Sequence, residues 1–259
     1  METNKVKAIL IGAGQRGAQV YGAFARRNPN DIVFVAVAEP DEARRKEFCR
    51  DHGICPDNAV EDWHELLARP KMADCAFVCT QDNQHIAPAM AALQAGYHVV
   101  MENPRSRHAD ELRALKALAE EKGKLVTVCH VLRYTPFFSK VKELLDAGEI
   151  GQLQSVQQIE NVAYWHQAHS FVRGNWRRED ETSPMILAKS CHDMDIILWM
   201  VGSHCTKVSS FGSLGHFKAE NAPEGAPEYC LDGCPVSDTC PYNAERIYLQ
   251  SKGVHVPVI

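Results

Sequence analysis

The sequence predicts an α/β protein: a doubly wound parallel sheet over residues 1–135, then a second α/β domain with a mainly antiparallel sheet over 136–259. Three observations predict this. Short apolar runs alternate with amphipathic stretches from Val6 to His130. A glycine-rich turn follows the first run, and the alternation lapses after about Pro136.

The first element, Val6 to Ile11 (VKAILI), is an almost unbroken apolar run, as expected of a strand covered on both faces. Gly12-Ala13-Gly14-Gln15-Arg16-Gly17 follows it, a G-x-G-x-x-G. Arg16 to Arg27 reads as a helix with Val20, Phe24 and small alanines inward. A second apolar run, Ile32 to Ala38, ends at Glu39, about 20 residues past the last glycine, where a dinucleotide-binding βαβ unit carries its acid. In that reading Gly12 makes the tight turn, Gly14 lets backbone approach a pyrophosphate, and Gly17 lets the helix sit close to the strand. The helix N-terminus offers free N–H groups to the phosphates. Glu39 would accept the adenosine ribose hydroxyls and repel a 2′-phosphate, favouring NAD; Arg44 and Arg45 nearby soften that preference and keep NADP in play. The bland alternative, a flexible turn, explains none of the flanking strand, helix and acid.

Pro40 to Gly53 reads as a helix stopped by glycine, and Glu61 to Ala68 as a shorter one. Cys75 to Cys79 is a buried strand, followed by the polar turn Thr80-Gln81-Asp82-Asn83-Gln84-His85. A helix to Gly96 leads to the strand His98–Met101, which runs into Glu102-Asn103-Pro104. An amphipathic helix then turns Leu112, Leu115 and Leu118 inward and ends at Gly123, before the strand Leu125 to His130. In such sheets ligands bind beyond the carboxyl ends of the strands, so the polar residues after each strand should share one crevice. Beyond Pro136 a helix ends at Gly148, and Leu153 to Val162 alternates like an antiparallel strand. Ser183 and Pro184 then open a helix that Gly202 stops.

Bulk properties narrow the function. With net charge −5 and no basic stripe, nucleic acid is not expected as a partner. No run approaches the length of a membrane span. Met1 to Lys5 leads straight into the first strand without room for a signal peptide, so a cytoplasmic setting is expected, and with it reduced thiols for the ten cysteines.

Several linked motifs, in order, resemble the glucose–fructose oxidoreductase/inositol dehydrogenase (Gfo/Idh/MocA) family. They are GAGQRG, Thr80 with His85 in TQDNQH, HVVMENP (His98 to Pro104), RYTPFF (Arg133 to Phe138), EIGQL (Glu149 to Leu153) and CHDMD (Cys191 to Asp195). The resemblance implies an NAD(P)-dependent oxidoreductase acting on a sugar, polyol or glycoside hydroxyl. It also implies homo-oligomers when full length and a second domain longer than the residues present. Asn103 stands where the family has a lysine. The expected cofactor contacts are Gly12, Gly14, Gln15, Arg16, Gly17, Glu39, Thr80, Asn83, His85 and Glu102. Two other functions suit the same motifs: a redox-assisted glycosidase that recycles NAD, and a non-catalytic nucleotide-binding regulator, which loss of the lysine favours.

Oxidising a hydroxyl needs a base that titrates near the working pH. Asn103 can hold a hydroxyl but cannot titrate. On the helix after Ser183, Lys189 and His192 lie about 60° apart. The spacing by itself favours a structural His192–Asp195 hydrogen bond with Lys189 solvated; the resemblance reverses that, with His192 as proton acceptor and Lys189 as the group orienting the hydroxyl. Substrate contacts are expected from Arg133 and Tyr134 at a strand end, and from His169 and Trp176 in a cluster with His166 and Arg173. A structural ion pair and a surface loop with a core tryptophan are the alternatives. Pro104 follows either a cis bond or an ordinary strand exit. Cys230, Cys234 and Cys240 are spaced closely enough to share a zinc ion, with His216, Cys205 or Cys191 as fourth ligand, or are three unlinked thiols.

Overall fold

The computed structural model describes residues 5–104 and 106–250. Arg105 of the loop after His98–Met101, and the apolar stretch ending at Ile259, lie outside the described residues. The chain divides into two compact units: residues 1–135 with 186–191, and residues 136–185 with 192–259.

The first unit is built on six parallel strands: β1 (Val6–Ile11), β2 (Ile32–Ala38), β3 (Ala59–Val60), β4 (Cys75–Val78), β5 (His98–Met101) and β6 (Val126–Val128). Their order, β3-β2-β1-β4-β5-β6, reverses direction at β1, which leaves a crevice over its carboxyl end. The unbroken apolar run of β1 has the expected cause. Ile9 and Ile11 enter one core with Leu66, Leu93, Tyr97 and Leu115. Ala8 and Leu10 enter the opposite core with Phe34, Val37, Phe48 and Phe77. The helices α2 (Glu42–His52), α3 (Trp63–Leu67), α4 (Ile86–Gln94) and α5 (Ala109–Glu121) cover the sheet. Asp41 caps α2 by accepting the Arg44 N–H at 2.9 Å, and Gly53, at φ 62°, ends it.

The helix after the glycine turn differs from expectation. Residues Gln15–Gly22 are π-helical and only Ala23–Arg27 (α1) are α-helical. The i→i+5 winding rotates the face that packs inward. Gly17, Gly22 and Ala25 are buried, whereas Val20 and Phe24 are exposed. The two-residue strand β3 carried no sequence signal, being too short to show alternation.

The second unit contains α6 (Pro136–Asp146), α7 (Tyr164–Gln167) continued by a π-helical turn (Ala168–Arg173), and most of α8 (Met185–Val201). Gly202, at φ 64°, stops α8 as the sequence suggested, but Pro184 rather than Ser183 takes the cap position. No antiparallel sheet is present among the described residues, and Leu153–Val162 forms no strand. Alternation marks a face that suits a sheet; it does not supply the partner strand whose N–H and C=O groups make the ladder. Among the described residues no helix is long and apolar enough to cross a membrane.

Candidate active site

The glycine turn after β1 is shaped by three different demands. Gly12 has φ +93°, and a Cβ there would sit 2.7 Å from the Cys79 carbonyl oxygen. A Cβ at Gly17 would fall 2.1 Å from the Gly12 carbonyl oxygen. Both are glycines because the protein leaves no room. At Gly14 nothing lies within 4 Å of the Cβ position, so packing does not require glycine there. The open space lies at the N-cap of the following helix, which has no side-chain cap. The N–H groups of this helix start have no side-chain acceptor. Gln15 and Arg16 form the first turn of this helix.

Glu39 is buried after β2. Its carboxylate accepts the Ala13 N–H at 2.6 Å and the Asp41 N–H at 3.0 Å, so it latches the glycine turn to the end of β2. Beside the turn lies a cavity of about 570 Å³ lined by Gly12, Ala38, Pro40, Glu61, Trp63 and Thr80, among others. Thr80 Oγ1 donates to the Gln84 carbonyl at 3.0 Å. Asn83 is exposed on the turn Asp82–Gln84. His85 is fully buried, with Nδ1 2.9 Å from the Pro104 carbonyl oxygen and Nε2 3.0 Å from that of Thr80. It therefore ties the loop after β4 to the loop after β5.

Glu102, buried after β5, receives the Arg16 Nε–H at 3.1 Å and a short hydrogen bond from the Tyr21 hydroxyl. Burial opposes the charge on Arg16, but the Glu102 carboxylate outweighs it and raises the guanidinium pKa. Burial, then hydrogen bonds with Cys129 and Glu102, push the Tyr21 hydroxyl well up. Burial drives the Cys79 thiol well up, with Glu102 adding to it, and takes Cys129 to about 11 despite the Tyr21 hydrogen bond. None of these three groups serves as a base near neutral pH.

The Asn103–Pro104 peptide is cis. Asn103 donates its side-chain N–H to the Cys129 carbonyl at 2.7 Å, and its Oδ1 lies 3.6 Å from Cys191 Sγ. The residue at the motif-lysine position thus joins three segments of the first unit. Lys189 and His192 lie on α8, both half-buried, one turn apart on one face. Arg133 and Tyr134 do not end a strand: they sit on a 3-10 turn (Val131–Tyr134), because β6 stops at Val128, and Tyr134 is 79% exposed.

In the second unit His169 Nδ1 lies 2.9 Å from the Tyr248 hydroxyl, and Trp176 packs against Phe171. Arg173 hydrogen-bonds the Tyr242 carbonyl and stands 3.8 Å from Cys230 Sγ. Cys230, Cys234 and Cys240 are free thiols. Among the described residues no group of three or more His, Cys, Asp or Glu side chains is placed to hold a metal ion. The physical reasons are local: a guanidinium lies against Cys230, and the candidate fourth ligands are engaged elsewhere. His216 packs on Phe217 and Tyr242, Cys205 on the Lys207 carbonyl, and Cys191 on Asn103.

Tyr21 and Glu61 escaped the sequence reading. Tyr21 lies four residues past Gly17, a spacing that sets no chemistry, and Glu61 follows the two-residue β3.

Two family models match the chain. An oxidoreductase family with an NAD-binding Rossmann fold covers residues 6–130, and a Gfo/Idh/MocA C-terminal domain covers 138–230. The chain is 28% identical over 183 residues to scyllo-inositol 2-dehydrogenase (NADP(+)) IolW of Bacillus subtilis, covering 70% of this chain and 48% of that protein. It is 24% identical over 215 residues to the NAD(+) scyllo-inositol 2-dehydrogenase of the same organism, covering 82% and 58%. The apo scyllo-inositol dehydrogenase of Lactobacillus casei superposes with a TM-score of 0.63 at 20% identity, over 78% of this chain and 56% of that one, a likeness of fold. The chain spans about half the length of the curated relatives it matches. On the two family matches and the order of its strands, the chain belongs to the Gfo/Idh/MocA oxidoreductase family.

Proposed function

We propose that the protein binds a nicotinamide dinucleotide, NAD in preference to NADP, and transfers hydride between it and a secondary hydroxyl of a sugar, polyol or glycoside. The observation that carries this reading is Gly14. Its two partner glycines are required by contacts inside the protein, whereas the space beside Gly14 is open and faces an uncapped helix start. Gly14 to Gly17 would hold the pyrophosphate, with Glu39 keeping the turn in place. Arg16 and Tyr21 hold the Glu102 carboxylate, and His85 holds the Thr80 and Pro104 carbonyls, so the loops after β4 and β5 form a fixed floor. The cofactor, when bound, supplies the hydride acceptor.

The hydroxyl proton needs its own acceptor. Asn103 has no titratable group, and Tyr21, Cys79 and Cys129 keep their protons. We assign the proton to His192, an imidazole being the commonest general base, and the orientation of the hydroxyl to Lys189 one helical turn away. Arg133, Tyr134, His169 and Trp176 remain the proposed substrate contacts.

A second reading, a nucleotide-binding regulator without turnover, is favoured by one observation. Asn103 spends its amide on Cys129 and Cys191 instead of presenting a base. NADH formation across a panel of sugars, polyols and glycosides decides between them. Substrate-dependent net NADH supports the dehydrogenase, and NAD binding without turnover supports the regulator. Glycoside cleavage needing only trace NAD would make the protein a redox-assisted glycosidase instead.

A further inference from the structure

The helix that starts at the glycine turn rests on an aromatic slot, and an imidazole lies in it. Gly22, the last residue of the π-helical stretch Gln15–Gly22, is buried against the end of α2. A Cβ there would fall 2.8 Å from Phe48 Cε2 and 2.9 Å from His52 Nε2. The His52 ring lies 4.2 Å from the Phe48 ring at 32° and meets Phe34 of β2 edge-on at 5.5 Å. Its Nε2 is buried and has no hydrogen-bond partner among the described residues. The charged groups around it are Arg26 of α1, whose guanidinium is bonded to Asp51, and on α2 itself Asp51 and Arg50, 3.7 Å apart. Gly22, Phe48 and Phe34 bring no acceptor side chain to Nε2. A neutral imidazole tolerates such a slot, because its bare nitrogen carries no charge. An imidazolium donates from both ring nitrogens, and a charged donor left without an acceptor costs more than a neutral group does.

Resting on the cofactor reading above, we infer that His52 is a pH-sensitive latch on the dinucleotide site: neutral, it closes the end of α2 onto Gly22, and protonated it parts from Gly22 and loosens the helix whose N–H groups meet the pyrophosphate. The surroundings set the direction. Burial first and Arg26 second hold the His52 pKa below 6.5, with Asp51 opposing. Between that folded value and 6.5 the closed form stays neutral while an opened form takes a proton, so falling pH favours opening. Asp51 is the carboxylate within reach of an expelled imidazolium, and engaging it weakens the Arg26–Asp51 pair that joins α1 to α2. Both changes slacken the same interface, that of the glycine-turn helix with α2. Gly14, at the start of this eight-residue stretch, carries the looseness to the phosphate end. By linkage, bound dinucleotide in turn keeps His52 neutral.

The test reads NAD binding and backbone protection against pH on the full chain, and requires no turnover. His52→Phe keeps a flat ring in the slot and cannot titrate. Calorimetric titration with NAD at about pH 7.5 and about pH 5 should show wild type losing at least about fivefold more affinity than His52→Phe, the lower end of ordinary coupling between sites. Amide hydrogen exchange without ligand, expressed as protection factors, should show residues 17–25 losing protection at the lower pH in wild type, while α4 keeps its own. In His52→Phe residues 17–25 should stay protected at both. If the two proteins lose NAD affinity equally, or if residues 17–25 of wild type stay protected, the latch is overturned and the cofactor reading stands. If His52→Phe fails to fold, the wild-type exchange pattern decides: loss confined to residues 17–25 and the end of α2 supports the latch, and a uniform loss across the sheet overturns it. Wild type that binds no NAD at the higher pH removes the cofactor reading, and the latch on that site goes with it.

Discussion

The two units treat the same kinds of side chain in opposite ways. In the first, Leu10 and Phe34 are at most 1% exposed, and apolar residues fill cores on both faces of one sheet. In the second, Val208 and Phe211 are 82% and 97% exposed, and α6 has no buried residue. Apolar character becomes core only where other elements arrive to cover it. A βαβ unit brings its own cover, because each crossover helix returns onto the sheet it left. An antiparallel sheet draws its cover from strands that need not be near in sequence. The contrast also separates proposed roles: nucleotide binding in the first unit, and the proton acceptor His192 assigned to the second.

The largest effect expected concerns that division. His192→Ala should lower turnover on a confirmed substrate by about 10²–10⁴-fold, the usual contribution of a positioned base. NAD affinity should stay nearly unchanged. If His192→Ala and Lys189→Ala both turn over like wild type, the division of labour is wrong.

The difference in packing is tested by two phenylalanines. Phe34 contacts Phe48, Phe77 and His52 edge-on, and Phe34→Ala should cost about 3–5 kcal/mol in urea unfolding. Phe211→Ser should change stability by less than about 0.5 kcal/mol, as exposed substitutions do. A comparable loss from both would mean that Phe211 is covered in solution.

Within the first unit, two glycines sharpen the line between packing and binding. Gly17→Ala places a Cβ against the Gly12 carbonyl and should destabilise by about 1–3 kcal/mol, as overpacking does. Gly14→Ala meets nothing and should melt like wild type, yet bind NAD more weakly. Unchanged NAD affinity for Gly14→Ala would show that the space beside it is not the phosphate site.

The smallest effect is a pH dependence. Burial first, and Arg26 second, lower the His52 pKa below 6.5, with Asp51 opposing. Between the folded and unfolded values the unfolded chain binds the extra proton. This contribution to stability is therefore complete above pH 6.5 and is lost as pH falls through the folded value. His52→Phe should flatten that part of the stability curve. Equal slopes for the two proteins, from urea midpoints between about pH 7.5 and about pH 5, would count against it.

Sequence alone determined the parallel sheet of the first unit, the glycine turn, the acid after β2 and the stops at Gly53 and Gly202. Each is a local matter: periodicity, a backbone conformation, or a spacing inside one βαβ unit. Only the tertiary structure decided that Glu39 accepts the Ala13 and Asp41 amides and so latches the glycine turn to the end of β2. It also decided that Asn103 is spent on Cys129 and Cys191, and that among the described residues Cys230, Cys234 and Cys240 are not grouped to hold a metal ion. The alternation of Leu153–Val162 led to a strand that is absent, because a strand exists only with a partner. Spacing along a chain names the groups that are able to react or bind. Which of them keep their lone pairs and protons for a ligand depends on neighbours dozens of residues away, and those are chosen by packing.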